Sequence, residues 1–102
     1  VESRDKRAAF LRQVVRAAEL NNVEVFHGRT EQVEGSFNGV ISRAYRPPVD
    51  YLQDAQKLLV PDGVAVLLSG EKPGPFEGWM VDTQHSYTVP DGVRMRTVFR
   101  RA

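Results

Sequence analysis

Apolar positions along the chain recur with two different periods. Ala8, Phe10, Leu11, Val14, Val15, Ala18 and Leu20 return at steps of three and four, with Arg12 and Arg16 opposite. That pattern predicts an amphipathic helix from about Arg4 to Leu20, its main face running through positions 7, 11, 14 and 18. Ser3 is the expected N-cap, with Asp5 in the first turn, and Asn21-Asn22 the expected stop. Val23 to His27 predicts a strand closed by Gly28, and Thr30 to Glu34 a loop or single helical turn. Phe37 to Ser42 is a second short apolar strand. Pro47-Pro48 opens a second helix running to about Leu59, expected to bury Val49, Leu52, Ala55, Leu58 and Leu59. Pro61-Asp62-Gly63 predicts a turn, and the nearly continuous apolar run from Val64 to Leu68 a strand covered on both faces. Ser69 to Gly78 is a Gly- and Pro-rich loop. Gln84 to Val89 and Val93 to Phe99 predict a hairpin around Pro90-Asp91-Gly92. In its second strand Val93, Met95, Thr97 and Phe99 face one way, and Arg94, Arg96 and Arg100 the other. With Val1 to Ser3 as the stub of a first strand, the order is β-α-β, β-α-β and a hairpin. This predicts an α/β fold with a mostly parallel sheet and an antiparallel end.

Composition narrows the chemistry. At 102 residues the chain has room for one domain, expected over residues 1–102. Cysteine is absent, which excludes disulfides, thiolate metal sites and Cys nucleophiles. Two histidines, His27 and His85, are too few for a typical catalytic zinc site. No apolar run approaches the length of about 20 residues that spans a bilayer, so no membrane partner is expected. The net charge of +1 predicts no bulk attraction to nucleic acid, yet eleven of the 14 basic residues are Arg, the better partner for phosphate. The first residue is Val, not Met, and the expectation is one piece of a processed or split protein.

In open α/β sheets ligands sit at the carboxyl ends of strands. Glu2, Thr30-Glu31, Ser42-Arg43-Ala44 and Ser69-Gly70-Glu71-Lys72 lie at such ends. An acid there can hold a ribose diol, and the layout is that of an S-adenosylmethionine (SAM) site. Three stretches then carry a resemblance: Glu2-Ser3-x-x-Lys6-Arg7-x-x-Phe10-Leu11-Arg12-Gln13-Val14; Asn22-Val23-Glu24-Val25 through Gly28-Arg29-Thr30-Glu31; and Phe37 through Ser42-Arg43-Ala44-Tyr45, the most specific. The chain resembles the bacterial 16S ribosomal RNA guanine-N7 methyltransferases (glucose-inhibited division protein B). The resemblance implies a partial Rossmann-like, class I SAM-dependent methyltransferase sheet, SAM as cofactor, ribosomal RNA of the small subunit as substrate, and a cytoplasmic location. It implies cofactor contacts at Glu2, Thr30, Glu31 and Arg43, and RNA-facing cations at Lys6 and Arg7. Arg46 and Lys72 are further candidate RNA contacts, and no catalytic residue is assigned.

Each of these residues also has a plainer reading. Glu2 is also read as an exposed acid, Thr30-Glu31 as the cap of a turn, Arg43 as the partner of a carboxylate such as Asp50, and Arg46 as a solvated loop charge. The hairpin's arginine stripe is either a phosphate contact or the wet face of an edge strand. Trp79 and Tyr87 are read as packing residues. The chain departs from the family in having Ser69-Gly70 where a Lys-Gly is usual. It also lacks the family's N-terminal helical region, first strand and Gly-rich loop. That strand would lie mid-sheet, between this chain's first and third strands, so its absence is expected to expose two apolar edges. Rearrangement, homo-oligomerisation through those edges, or pairing with a missing N-terminal half would cover them. The rival reading is a non-catalytic RNA- or protein-binding remnant of the same fold.

Overall fold

The computed structural model describes residues 1–43 and 46–102; Ala44 and Tyr45, and the side chain of Glu31, lie outside the described residues. The chain divides into two compact units, Val1–Glu34 and Gly35–Ala102. No helix among the described residues is long and apolar enough to cross a membrane.

The first unit holds one helix, α1 (Asp5–Ala17), and a 3-10 turn over Thr30–Gln32. A single parallel bridge joins Glu2 to His27. Its two bonds run from Glu2 N–H to the Phe26 carbonyl and from Gly28 N–H to the Glu2 carbonyl, 2.9 Å each. The strand expected over Val23 to His27 is therefore reduced to a bridge. Its partner segment precedes α1 by only a few residues, too short for a ladder. The helix starts one residue later than Ser3 capping would place it. Arg4 is the N-cap, and its own N–H is donated to Glu2 Oε1 at 3.0 Å. The helix also ends earlier than Asn21-Asn22. Glu19 adopts φ 55°, Leu20 N–H reaches the Val15 carbonyl at 2.9 Å, and Glu19 N–H reaches the Arg16 carbonyl at 3.2 Å. These paired bonds are a Schellman stop, completed here by a left-handed glutamate where glycine is the usual occupant. Ala8 is buried, but Phe10, Leu11 and Val14 stay exposed at 62%, 38% and 42%. One helix and one bridge supply too little surface to cover the apolar face that the periodicity marked.

The second unit is a four-stranded sheet with one helix. Its strands are β1 (Phe37–Ser42), β2 (Leu59–Ser69), β3 (Trp79–Val89) and β4 (Gly92–Arg101), in the order β1-β2-β4-β3. β1 and β2 are parallel, joined through α2 (Pro48–Leu58), while β2–β4 and β3–β4 are antiparallel. The α/β class and the partial Rossmann-like sheet with its antiparallel hairpin are as expected, but the sheet is mixed and not mostly parallel: only β1–β2 is a parallel pairing, because the two strands expected first are reduced to the Glu2–His27 bridge. Pro61-Asp62-Gly63 is not a turn before β2 but an irregularity within it. Phe37 pairs with Leu59 and Gly39 with Val64, so two steps of β1 face five of β2. Gly63 is required there, because a Cβ would stand 3.0 Å from the Asn38 carbonyl oxygen and 3.1 Å from that of Val60. The hairpin strands are longer than predicted and close over Pro90-Asp91, with Gly92 at φ 134°.

The core of this unit joins Tyr51, Leu52, Ala55 and Leu59 to Ala65, Leu67 and Phe99, with Val40, Phe76 and Trp79 against it. Phe76 meets Phe99 edge to face at 5.8 Å. Val49, expected inside, is 50% exposed. Tyr51, on the other side of the helix from Val49, is buried, its hydroxyl 2.8 Å from the Val66 carbonyl and 3.2 Å from that of Val40. It thereby touches both parallel strands. Arg101 finishes the helix from the far end of the chain. Its Nη2 donates to the carbonyls of Gln56 (2.6 Å) and Leu59 (3.1 Å), and its Nη1 to that of Val60 (3.3 Å). Carbonyls at a helix C-terminus lack intrahelical donors, and a cation suits the negative end of the dipole.

Two stability changes follow. Glu19→Gly relieves the left-handed strain and is expected to raise stability by about 0.5–1 kcal/mol, read as a higher midpoint in thermal or urea unfolding. Arg101→Gln strips the charged donor from α2 and is expected to lower it by about 1–3 kcal/mol, measured the same way.

Candidate functional site

In the first unit, parallel alignment sets Glu2 beside His27, so the segments that follow each of them leave the same end. Glu2 is half-buried, and one carboxylate oxygen is held by Arg4 N–H. A carboxylate has about four lone-pair sites, so this bond orients the group while leaving acceptor capacity. Gly28 and Arg29 lead directly into the 3-10 turn that Thr30 opens, where Gln32 Oε1 accepts Arg29 N–H at 2.7 Å. Thr30 is half-buried. His27 Nε2 lies 2.9 Å from Asp5 Oδ1, pinning the helix start to the bridge. The structure thus brings Glu2 and Thr30 to one end of the first unit. The expected role of Glu31 falls on a side chain outside the described residues.

Lys6 and Arg7 are exposed in the opening turns of α1. Cations there gain nothing from the helix dipole, whose positive end they face. A shallow groove of about 580 Å³ lies at the opposite end of α1, bordered by Arg12, Arg16, Leu20 and Val23. None of the sequence-derived site residues lines it.

In the second unit the carboxyl ends of β1 and β2 coincide, with Ser42 opposite Leu67. Arg43 follows β1 immediately, is exposed, and forms no ion pair with Asp50. Ser42 is 7% exposed, and its Oγ is buried without a hydrogen-bond partner. An apolar strand end does not ordinarily hold a hydroxyl in this state. The sequence placed Ser42 in the Ser42-Arg43-Ala44 element at a strand end but assigned it no contact, because its hydroxyl becomes informative only once it is known to be buried. After β2, Ser69 Oγ donates to the Glu71 carbonyl at 2.6 Å, shaping the start of the loop that carries exposed Lys72. Arg46 Nη1 is 2.8 Å from Asp54 Oδ2, so this arginine braces the entry to α2. Trp79 packs against the core as expected, whereas Tyr87 is 39% exposed.

The family model described as rRNA small subunit methyltransferase G matches residues 1–86. The chain belongs to that family. It is 35% identical over 111 residues to the ribosomal RNA small subunit methyltransferase G of Marinobacter nauticus, covering 100% of this chain and 52% of that protein. The protein of the same name from Nitratidesulfovibrio vulgaris is 37% identical over 100 residues, covering 92% of this chain and 45% of the relative. The chain therefore spans about half the length of these relatives. Among solved structures, TrmN from Thermus thermophilus superposes with a TM-score of 0.79 at 16% identity, over 98% of this chain and 35% of that one. The putative methyltransferase yhhF from Escherichia coli gives 0.65 at 17%, over 99% and 62%. At these identities the two structures speak for the fold alone.

A buried hydroxyl with no partner costs about 1–3 kcal/mol of desolvation. Ser42→Ala is therefore expected to leave unfolding stability unchanged or raise it by about 1 kcal/mol, read from a urea titration without added ligand.

Proposed function

We propose that this chain is the part of an rRNA methyltransferase that carries adenosine-binding residues of the SAM site, and that the reaction methylates guanine N7 of 16S ribosomal RNA in the cytoplasm. Family membership supports the class of reaction, and the carboxylate of Glu2, oriented at the carboxyl end of a parallel pair, is the observation that carries the cofactor assignment.

The residues present suit the cofactor. An oriented carboxylate accepts from both hydroxyls of a ribose, and Thr30, with Glu31 beside it in sequence, offers acceptors for the amino group of adenine. Arg43 and the partnerless Ser42 hydroxyl supply donors at the end of β1. SAM, when bound, supplies a methyl group activated by its sulfonium. Guanine N7 bears a lone pair and no proton, so transfer to it needs no general base. The protein's share of the work is to position the base and exclude water. Lys6, Arg7, Arg46 and Lys72 are assigned to the phosphates of the RNA, Arg46 doing so while braced by Asp54.

Calorimetry with SAM and S-adenosylhomocysteine tests the cofactor half, using this chain set within the full length of the Marinobacter relative. Loss of a charge-assisted contact weakens binding by about ten- to a hundredfold. Glu2→Ala and Arg43→Ala are each expected to do so, with transfer of labelled methyl to 16S rRNA falling in parallel. RNA binding with no cofactor binding in the chimera would replace this reading with the non-catalytic one.

A further inference from the structure

The hairpin carries a row of cations that the site described above does not use. Side chains alternate along β4, and Thr97 and Phe99 are buried, which fixes Arg94, Arg96 and Arg100 on the opposite face. Cross-strand pairing sets Tyr87 beside Arg94 and His85 beside Arg96, with Leu68 of β2 flanking Arg96 on its other side. The three arginines are not equivalent. Arg100 is compensated: its Nε lies 3.2 Å from Asp82 Oδ2. Arg94 has Nη1 3.2 Å from its neighbour's carbonyl, that of Val93, and neither it nor Arg96 has a carboxylate within ion-pair distance among the described residues. The sequence explains why. β4 contains no acid, the only acid in β3 is Asp82, at the Arg100 end, and Asp91 in the connecting turn forms no ion pair with Arg94 or Arg96. The half of the hairpin nearer its turn is therefore positive on one face.

We infer that this face of the hairpin is a docking surface for a single-stranded segment of RNA, with the backbone phosphates on Arg94 and Arg96 and an unpaired base on the Tyr87 ring. Alternate residues of a strand stand about 6.6 Å apart, close to the spacing of successive phosphates along an extended nucleic-acid strand. Guanidinium forks bind phosphate in two-pronged fashion. Tyr87, exposed and next to Arg94, offers the flat surface on which unpaired bases stack. An acidic protein would answer the charge but leave the ring unused. The inference rests on the reading of the substrate as ribosomal RNA, and extends it by adding a contact that is independent of the cofactor.

The test is filter binding of the full chain to in-vitro-transcribed 16S rRNA across a range of KCl concentrations, with S-adenosylhomocysteine binding measured on the same proteins. Arg94→Gln/Arg96→Gln is expected to weaken RNA binding about tenfold near 0.1 M salt and to make the log–log salt dependence shallower by about two. Arg94→Lys/Arg96→Lys is expected to keep the slope, and Tyr87→Ala to weaken binding without changing it. Cofactor binding and thermal unfolding should match the parent in all three. An unchanged slope and affinity in the Gln variant overturns the inference, and does so without touching the methyltransferase reading if the cofactor still binds. Loss of RNA binding in the Gln variant upholds this surface whether or not cofactor binds, while it is the absence of cofactor binding in the full-length chimera that fails the methyltransferase reading. Variants that bind naked rRNA normally but fail on the assembled small ribosomal subunit would assign the face to a protein and overturn the RNA inference.

Discussion

The helix α2 lying across the β1–β2 pair is the contact on which the second unit depends. Parallel strands cannot be joined by a tight turn, and their slanted hydrogen bonds are slightly weaker than antiparallel ones. They need a crossover that also buries their face. Here Leu52 and Ala55 pack with Ala65, Leu67 and Phe99, and the Tyr51 hydroxyl reaches carbonyls on both strands. The carboxyl ends of β1 and β2, with Ser42, Arg43 and Ser69, take their positions from that packing. A site made of strand ends is only as well placed as the helix that holds the strands in register.

What could be read from the sequence follows from where one signal stood alone. β1, α2 and the hairpin were legible because their periods were unambiguous and Pro47-Pro48 and Asp91-Gly92 punctuated them. Val23 to His27 has the composition of a strand, but a strand also needs a partner of matching length, and composition carries no information about that. The Schellman stop at Glu19 was hidden because glutamate is not a residue that ordinarily signals a left-handed turn. Pro61-Asp62-Gly63 has turn chemistry, yet the tight passage at Gly63 serves a strand irregularity. Of the candidate site, the placement of Arg43 just past an apolar strand was readable. The buried hydroxyl of Ser42 and the Arg46–Asp54 pair were not, since both depend on what comes near in space.

The family match and the division of the chain bear on the same point. The relatives are about twice as long, and the chain's two units separate after Glu34. The first unit holds the first two predicted strands and the second holds the remainder. β1 is an edge of its sheet, with Phe37 43% and Ile41 68% exposed. An edge of this kind carries unpaired backbone donors and acceptors beside apolar side chains.

The grip of Arg101 on the carbonyl end of α2 has a temporal side. Leu59 precedes Arg101 by 42 residues in the chain. At translation rates of about 5–20 residues per second, the helix waits roughly 2 to 8 seconds after its own synthesis before that guanidinium exists. During this interval its last carbonyls have only water to answer them. The C-terminal end of the crossover is thus completed only by a residue of β4, which ties the parallel pair to the hairpin.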